Sequence, residues 1–515
     1  LCIVYVFVVY VVWVVCMMYV FMWCVFYLHL VFVICFFFND TATTEIYTLP
    51  LPDALPTAAI ITGRKGEAVL NGGLGQATGI VGAGNNYKST IAHYQMLCAA
   101  DRIAEATPTL MTTYDTEVNI SIERLTNMAS GFKHLPEDLI TGEDANWVIT
   151  DKTQLDASEW VQQINKYSDE KAKDAKSKVT YEGFKDPYSD KNLVGYLPTF
   201  VEIDSLTEFE ASSTIEMLSK DLDSSDTNTY AMKQGAFKTK FLSQLPRISN
   251  KSNLFFIMTA HIGEKIDMAT GPAKYNQPTK KLQYLKTSDN IKGVSPKFTF
   301  LLNNAWFAHT ASLLKNQTDK MPEYPKTKDS NMKTELNTVK LTQLRSKTGP
   351  SGYTLEIVVS QNEGVLPTLT EFHYIKQNGR FGIEGNLTHY TIALRPDVSL
   401  NRKSVRAKID ADQRLRRAIN ITSEILQLKT FQTQLENEGI FCEPAELYKD
   451  LKEMGFDWDM LLMTRGYWTI NQYSNKVPYL SSIDLLRMRK GTYFPYFLNE
   501  DKTLKKQYEG FYNVD

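Results

Sequence analysis

One stretch of this sequence has the residue types and spacing that hold phosphate groups in nucleotide-binding proteins. It reads G-x-x-x-x-Y-K-S, one residue away from the phosphate-loop pattern G-x-x-x-x-G-K-[ST]. The residues are Gly82, Ala83, Gly84, Asn85, Asn86, Tyr87, Lys88, Ser89 and Thr90. Backbone N–H groups at a helix start attract anions, Lys88 adds a cation for the β- and γ-phosphates, and Ser89 places a hydroxyl on Mg²⁺. The alternative is a glycine-rich turn that binds nothing.

The residues on either side of this stretch predict the elements that would position it. Residues 77–81 are apolar and predict a short buried strand, whereas residues 91–100 predict a helix. Strand, glycine-rich turn and helix in this order form the context in which the motif binds phosphate.

Two carboxylates follow the second predicted strand, residues 108–114. They are Asp115 and Glu117, separated by one threonine. Ligands collect at the carboxyl ends of strands in α/β proteins, so Glu117 is a candidate base that activates water. The alternative is that Asp115 caps a helix over residues 120–125.

Two further apolar runs end in polar residues. Residues 200–206 predict a strand ending in Asp204, whose carboxylate would hold the water shell of a metal, unless it only makes a turn. Residues 254–261 are almost continuously apolar, as in a parallel strand covered on both faces. They end in His261, which is either a γ-phosphate sensor or a structural histidine.

Residues 263–297 form a polar segment that contains several glycines and prolines. The segment is too long for an ordinary connection between two elements. Tyr275 and Tyr284 are interleaved among its lysines, a combination that suits the backbone and the stacked bases of single-stranded DNA. The candidate DNA-binding residues are Lys274, Lys280, Lys281, Lys286 and Tyr284. The alternative is a solvated loop.

The remaining pattern predicts short strands at residues 147–150, 298–302, 339–344 and 353–359. Arg345 and Lys347 would lie at a hairpin tip, where they could reach a phosphate or simply be solvated. A helix is predicted over residues 157–167, and residues 168–192 are expected to be a solvated insertion because they lack apolar periodicity. Beyond residue 400, a basic stretch and predicted helices over residues 421–435 and 444–454 indicate a separate helical domain.

Composition limits the classes of protein to consider. The 515 residues have room for two or three domains, and a net charge of −2 means that a nucleic-acid surface must be local. Residues 1–38 lack charged residues, glycine, alanine, serine, threonine and proline, so we expect residues 1–56 to be a non-native leader of translated low-complexity and adapter-like DNA. The alternative is a membrane anchor. Outside that leader only Cys98 and Cys442 remain, which excludes a disulfide framework and favours a reducing cytoplasm.

The order of these motifs resembles the RecA superfamily of ATPases, and most closely the phage UvsX-type recombinases, over residues 66–390. Gly72-Gly73-Leu74 precedes the first core strand as in that family, and Tyr87 resembles the phenylalanine that UvsX-type proteins carry before the lysine. Residues 114–117 and 203–206 are similar to the family segments Y-D-S-E and I-D-S-L. Ala260-His261 resembles the N-Q or N-H pair that couples nucleotide state to the DNA loop, although the asparagine is alanine here.

The resemblance implies an α/β fold with a RecA-like P-loop ATPase core over residues 57–395, in which helices flank a mostly parallel central sheet. It also implies a DNA-binding loop at residues 263–297 and a smaller, mainly helical C-terminal domain at residues 396–515. The implied nucleotide-binding residues are Gly82, Gly84, Asn85, Asn86, Tyr87, Lys88, Ser89, Thr90 and His261. The implied catalytic residues are Lys88, Glu117, Arg345 and Lys347, the last two acting on a neighbouring subunit's ATP, and the implied Mg²⁺ ligands are Ser89 and Asp204.

The function that follows from the resemblance is homologous pairing and strand exchange on single-stranded DNA, driven by ATP and Mg²⁺ in a head-to-tail filament of identical subunits. The protein would act in the cytoplasm, that of a bacterial host if phage-encoded, without a membrane. The main alternative is a DnaB-type replicative helicase, which shares the core but closes into a hexameric ring; residues 345–350 also resemble its R-x-x-G-P segment. A third interpretation, a DNA-binding or membrane-anchored structural protein, leaves Lys88, Glu117 and Asp204 unexplained.

Overall fold

A large, mostly parallel sheet flanked by helices forms the centre of the protein in this computed structural model. The chain therefore has the α/β fold class predicted from its sequence. The structure describes residues 58–62, 68–72, 75–104, 107, 109–136, 138–141, 145–185, 189, 191–211, 224–264, 289–292, 294, 297–326, 335–347, 351–352, 354–431, 439–467, 469–471 and 473–512.

The first half of the chain contains the elements up to the strand that ends at Asp204, the candidate metal ligand. They are β1 (Ala58–Thr62), β2 (Ala68–Gly72), β3 (Ala77–Gly82), α1 (Lys88–Ala104), β4 (Leu110–Asp115), α2 (Ile122–Ala129), β5 (Trp147–Asp151), α3 (Ala157–Lys171), β6 (Lys178–Lys185), β7 (Asn192–Tyr196) and β8 (Thr199–Asp204).

The second half completes the sheet and adds a smaller sheet and further helices. The elements that follow β8 are α4 (Ser224–Ser252), β9 (Leu254–Glu264), β10 (Asp289–Ile291), α5 (Lys297–Leu301), β11 (Asn304–Ala308), β12 (Ser312–Leu313), β13 (Leu336–Ser346), β14 (Thr354–Ser360), β15 (Gly364–Val365) and α6 (Pro367–Gln377). The last are β16 (Ile383–Gly385), β17 (Tyr390–Ile392), β18 (Arg395–Leu400), α7 (Val405–Ala411), α8 (Gln413–Phe431), α9 (Pro444–Glu453), α10 (Trp458–Leu461) and α11 (Ser482–Arg489).

The strand order of the large sheet is β15-β14-β13-β11-β3-β9-β8-β4-β5, with β10 paired to β9 and β12 to β13. Strands β11, β3, β9, β8, β4 and β5 run parallel to one another. Strands β13, β14 and β15 extend the sheet in antiparallel fashion. Parallel strands are covered by helices on both faces, which explains why β3 and β8 are buried along their whole length.

The register of the parallel strands brings their carboxyl ends to one edge of the sheet. Gly82 at the end of β3 pairs with His261 of β9, and Asp115 at the end of β4 pairs with Asp204 at the end of β8. Four segments that the sequence separates by up to 179 residues therefore meet along one edge. This edge is where α/β proteins bind their ligands.

An aromatic cluster fixes helices α3 and α4 on the sheet near this edge. The Trp160 ring of α3 lies 5.1 Å from the Tyr114 ring of β4 and 5.9 Å from the Phe209 ring. Phe209 in turn contacts the ring of Phe241 on α4 at 5.2 Å. Pairs of buried aromatic rings add about 1 kcal/mol each beyond their buried area, so this cluster stabilises the loop that follows β8.

The C-terminal helices share an apolar core with the region just before them. Leu336, Phe372 and Ile392 belong to the same buried cluster as Ile419 and Leu486. The chain divides into two units, residues 1–47 and 48–515, and every described residue belongs to the second unit. The boundary predicted at residues 395/396 stays a prediction, and the predicted leader, residues 1–56, lies outside the described residues.

One sequence prediction about secondary structure is wrong. Residues 298–302 were expected to form a strand, but residues 297–301 form α5. Phe298 and Leu302 are buried whereas Phe300 is 62% exposed, which fits the helical spacing of four residues and not strand alternation. An apolar run this short has no periodicity that separates the two structures.

Residues 168–192, expected to be a solvated insertion, contain the end of α3 and most of an antiparallel hairpin. Its strands β6 and β7 pair outside the main sheet. The carboxylate of Glu182 accepts hydrogen bonds from the backbone N–H groups of Tyr473 and Ser474, at 3.0 and 3.2 Å. Contacts made almost 300 residues away in the chain thus stabilise a hairpin whose own sequence is rich in lysine and aspartate.

Candidate functional site

A cavity of about 650 Å³ opens at the edge of the sheet where the parallel strands end. Its lining includes Lys88, Ser89, Glu117, Asp204 and His261. The volume lies within the range of roughly 300–1,000 Å³ that is usual for ligand sites. The structure thus brings together, in one chain, most of the candidate nucleotide, metal and base residues that the sequence predicted.

The predicted phosphate loop connects β3 to α1. Gly82 does not line the cavity but lies beneath the loop, where a Cβ would come within 2.6 Å of the Ala308 carbonyl oxygen. Asn86 is buried and its Nδ2 donates to the same carbonyl at 3.3 Å. Gly84 and Asn85 are exposed on the cavity side, and α1 begins at Lys88. The N–H groups of the first turn of this 17-residue helix therefore face the lining of the cavity.

Lys88 is buried at the base of the loop. Its Nζ donates to the carbonyl oxygen of Ala83 at 2.6 Å. Burial lowers the pKa of Lys88, while the negative charges of Asp204 and Glu117 act in the opposite direction. An amine held in this way, beside exposed loop residues, is placed to meet an anion that enters the loop.

Tyr87 stands where the phosphate-loop pattern has glycine, and its backbone conformation explains why glycine is usual at this position. Its φ is 58°, in the left-handed region where a side chain is strained. The side chain compensates, because the Tyr87 hydroxyl accepts a hydrogen bond from Nδ2 of Asn337 on β13 at 2.8 Å. Burial raises the pKa of Tyr87, with a hydrogen bond from Gln361 opposing it.

Asp115 shapes the loop that carries Glu117. Its two carboxylate oxygens accept hydrogen bonds from four successive backbone N–H groups, those of residues 117, 118, 119 and 120, at 2.9–3.0 Å. Asp115 therefore does not cap the next helix, as one interpretation of the sequence had it. That cap is Ser121, whose hydroxyl accepts from the N–H of Arg124 at the start of α2.

The carboxylate of Glu117 is held by side chains from two neighbouring strands. His261 Nε2 lies 2.7 Å from Glu117 Oε1, and the Ser205 hydroxyl donates to the same oxygen at 3.0 Å. Burial raises the pKa of Glu117, but the hydrogen bonds from His261 and Ser205 and the charges of His261 and Lys88 outweigh it, so that the pKa is lowered. Glu117 is consequently ionised at neutral pH, as a base must be.

Asp204 ends β8 and lines the cavity together with Ser89. Its Oδ1 accepts a hydrogen bond from the hydroxyl of Thr259 on β9. Among the described residues, no group of three or more histidine, cysteine, aspartate or glutamate side chains could hold a metal ion by itself. The Ser89 hydroxyl and the Asp204 carboxylate could therefore supply only part of a metal's oxygen ligands.

Two features of the site were not predicted. The Arg124 guanidinium lines the cavity and its Nη2 donates to the hydroxyl of Thr90 at 2.8 Å. His93 also lines the cavity; its Nδ1 lies 2.8 Å from Oε2 of Glu202, and both side chains are buried. Sequence patterns give no signal for either contact, because each joins residues from separate elements.

Arg345 and Lys347 lie at the other edge of the sheet. Arg345 pairs with Ala305 of β11, which pairs with Gly79 near the start of β3, so within one chain both cations are remote from the cavity. Burial, and then the charge of Arg345, lower the pKa of Lys347. Their predicted action on a neighbouring subunit stays a prediction, and the DNA-binding candidates Lys274, Lys280, Lys281, Lys286 and Tyr284 lie outside the described residues.

No model of a known protein family matches the chain, and no curated protein sequence matches it. The helices in the described part of the chain all lack the combination of length and apolar character that crossing a bilayer requires.

Proposed function

We propose that this chain is an ATP-hydrolysing recombinase of the RecA superfamily that pairs and exchanges strands on single-stranded DNA. One observation supports this most directly: Lys88, Ser89, Glu117, Asp204 and His261 line a single cavity. These are the residue types that a nucleoside triphosphate, a divalent cation and an attacking water require together. The DNA-directed part of the proposal rests on the resemblance of the sequence to UvsX-type recombinases.

The lining fits ATP and Mg²⁺ in its chemistry. The open lip at Gly84 admits a phosphate close to the backbone, and Lys88 and the first turn of α1 supply positive charge. Ser89 and Asp204 would hold the metal ion. When bound, Mg²⁺ neutralises charge on the β- and γ-phosphates.

The residues of this chain divide the remaining work. Glu117, fixed by His261 and Ser205 and ionised at neutral pH, orients a water molecule and takes up its proton. Lys88 stabilises negative charge on the phosphate oxygens. Arg345 and Lys347 would add positive charge from the adjacent subunit, which makes the active site complete only at a subunit interface.

ATP hydrolysis by the purified full-length chain, with and without single-stranded DNA, tests the proposal. We expect the DNA to stimulate hydrolysis and Lys88→Ala to lower it by on the order of 10²-fold or more. Glu117→Gln should retain ATP binding and lose turnover. A matched control is Lys166→Ala, since the Lys166 side chain is 78% exposed and should not matter.

Hydrolysis that is absent, or unaffected by Lys88→Ala, would refute the proposed activity. Electron micrographs of the chain with ATP and single-stranded DNA test the recombinase assignment separately. Open helical filaments are expected, and closed six-membered rings would instead support the helicase.

A further inference from the structure

Helix α4 contributes a buried lysine to the neighbourhood of the proposed active site. Lys238 is 2% exposed, and its Nζ donates to the backbone carbonyl oxygen of Thr207 at 2.5 Å. Burial lowers the pKa of Lys238, against the opposing charges of Glu210 and Glu208. A buried amine is costly, and an apolar side chain of the same length would fill the space more cheaply. What the amine adds is a hydrogen-bond donor for one particular carbonyl.

That carbonyl belongs to a short turn with a special position. The turn Leu206–Glu208 is a 3₁₀ helix that begins two residues after Asp204. The next residue, Phe209, packs on helix α4, with ring centroids 5.6 Å from Phe237 and 5.2 Å from Phe241. Helix α4 thus fixes the turn through one polar contact and two aromatic contacts.

The same turn holds the backbone of His261. The hydroxyl of Thr207 accepts a hydrogen bond from the N–H of His261 at 2.8 Å. The His261 ring then reaches Glu117, with Nε2 2.7 Å from the carboxylate. Three consecutive hydrogen-bonded contacts therefore connect helix α4 to Glu117.

We propose that Lys238 is a positioning residue that places the Glu117 carboxylate through Thr207 and His261. The link itself is a matter of structure, and its effect on turnover rests on the proposed function of Glu117 as the base. Without the amine, the turn keeps its apolar contacts but the Thr207 carbonyl loses its donor. The turn then moves, and the acceptor for the His261 N–H moves with it.

The variant Lys238→Met tests this in the full-length chain, because it keeps an unbranched side chain that is only one atom shorter and removes the donor. Hydrogen exchange at the His261 amide should become about fivefold faster, since its acceptor is displaced. Turnover of ATP should fall between about 10-fold and 100-fold while KM for ATP stays within about twofold, because misplacing a base affects the reaction more than binding.

A matched control is available in Lys171→Met. Lys171 is also a buried lysine, but its Nζ donates to Leu197 and Thr199 at the opposite end of β8. It should change neither His261 exchange nor turnover. Equal exchange at His261 in Lys238→Met and in the unsubstituted chain would overturn the inference, whatever the ATPase assay shows.

A second variant keeps the test decisive if Lys238→Met does not fold. Thr207→Val removes the acceptor for the His261 N–H and preserves the shape of the side chain. It should also accelerate His261 exchange and reduce turnover with little change in KM, and full turnover would overturn the inference. If the unsubstituted chain hydrolyses no ATP, the proposed function fails, whereas the exchange measurement still decides whether the link exists.

Discussion

Replacing Tyr87 tests whether its backbone conformation and its hydrogen bond to Asn337 determine the stability of the predicted phosphate loop. The residue combines an unfavourable backbone conformation, φ 58°, with a favourable side-chain contact to Asn337. Three substitutions separate the two contributions. Tyr87→Phe removes only the hydroxyl, Tyr87→Ala removes the ring and keeps a Cβ, and Tyr87→Gly removes the Cβ as well.

The expected magnitudes follow from the geometry. Asn337 is 6% exposed, so that Tyr87→Phe leaves a buried donor without this partner, which costs about 1–2 kcal/mol of the free energy of unfolding. A left-handed conformation costs a side-chain-bearing residue about 1–2 kcal/mol, while glycine loses about 0.4–1 kcal/mol more chain entropy on folding than alanine. Tyr87→Gly should therefore be more stable than Tyr87→Ala by about 1 kcal/mol, although both lose the ring.

Urea unfolding of the full-length chain measures these differences in the free energy of unfolding. The comparison requires that this free energy falls with urea concentration at the same slope in every variant. Gly235 provides the control, because it lies within α4, has no left-handed φ, and a Cβ there would meet nothing within 4 Å. Alanine should be the more stable residue at position 235, by about 0.5–1 kcal/mol, which is the opposite sign. A variant with alanine at position 87 that is at least as stable as the one with glycine would contradict the backbone strain, and an unchanged stability of Tyr87→Phe would contradict the hydrogen bond to Asn337.

Two further predictions concern positions away from the cavity. Burial lowers the pKa of Lys171 from 10.5 to about 7. Between these two pH values the Lys171 amine is protonated in the unfolded chain but not in the folded protein. Lys171 therefore makes the folded protein more stable as the pH rises through this range. Lys171→Met should reduce the rise of the free energy of unfolding with pH by up to about 1.4 kcal/mol per pH unit between pH 7 and 9, measured by urea unfolding. An unchanged dependence of this free energy on pH would contradict the assigned pKa. Gly79→Ala would place a Cβ 2.4 Å from Leu302 and 2.5 Å from Phe298. This overpacking should lower the free energy of unfolding by about 1–3 kcal/mol, and a neutral effect would mean that the two side chains move aside.

The elements that build the cavity could be predicted because buried parallel strands have a distinct sequence pattern. Residues 254–261 are almost continuously apolar and residues 77–81 and 200–206 are rich in apolar residues, and each segment corresponds to a strand of the central sheet, β9, β3 and β8. Asp204 and His261 could be selected as candidates because ligands collect at the carboxyl ends of such strands, although each residue also has a structural explanation. Once the strands are parallel neighbours, their carboxyl ends must meet.

The parts that sequence reasoning missed depend on contacts between distant segments. His93 and Glu202 are 109 residues apart, and neither stands in a pattern that indicates its partner. Arg124 reaches the loop from α2 through Thr90, a contact between residues 34 apart. The role of Asp115 could not be separated from helix capping, because both use a short acidic side chain that accepts from backbone N–H groups.

Contacts on two sides of the cavity stabilise its shape. The residues that supply these contacts lie outside the sequence motifs that predicted the site. On one side Asn337 of β13 holds Tyr87, and through it the phosphate loop. On the other side Lys238 of α4 holds the turn on which His261 and Glu117 depend. A chain with every motif residue intact but without Asn337 or Lys238 should therefore retain a recognisable nucleotide-binding sequence and lose part of the geometry. The residues proposed to bind a nucleotide and the residues that give the site its shape are thus largely different sets, and the second set becomes visible only in the folded chain.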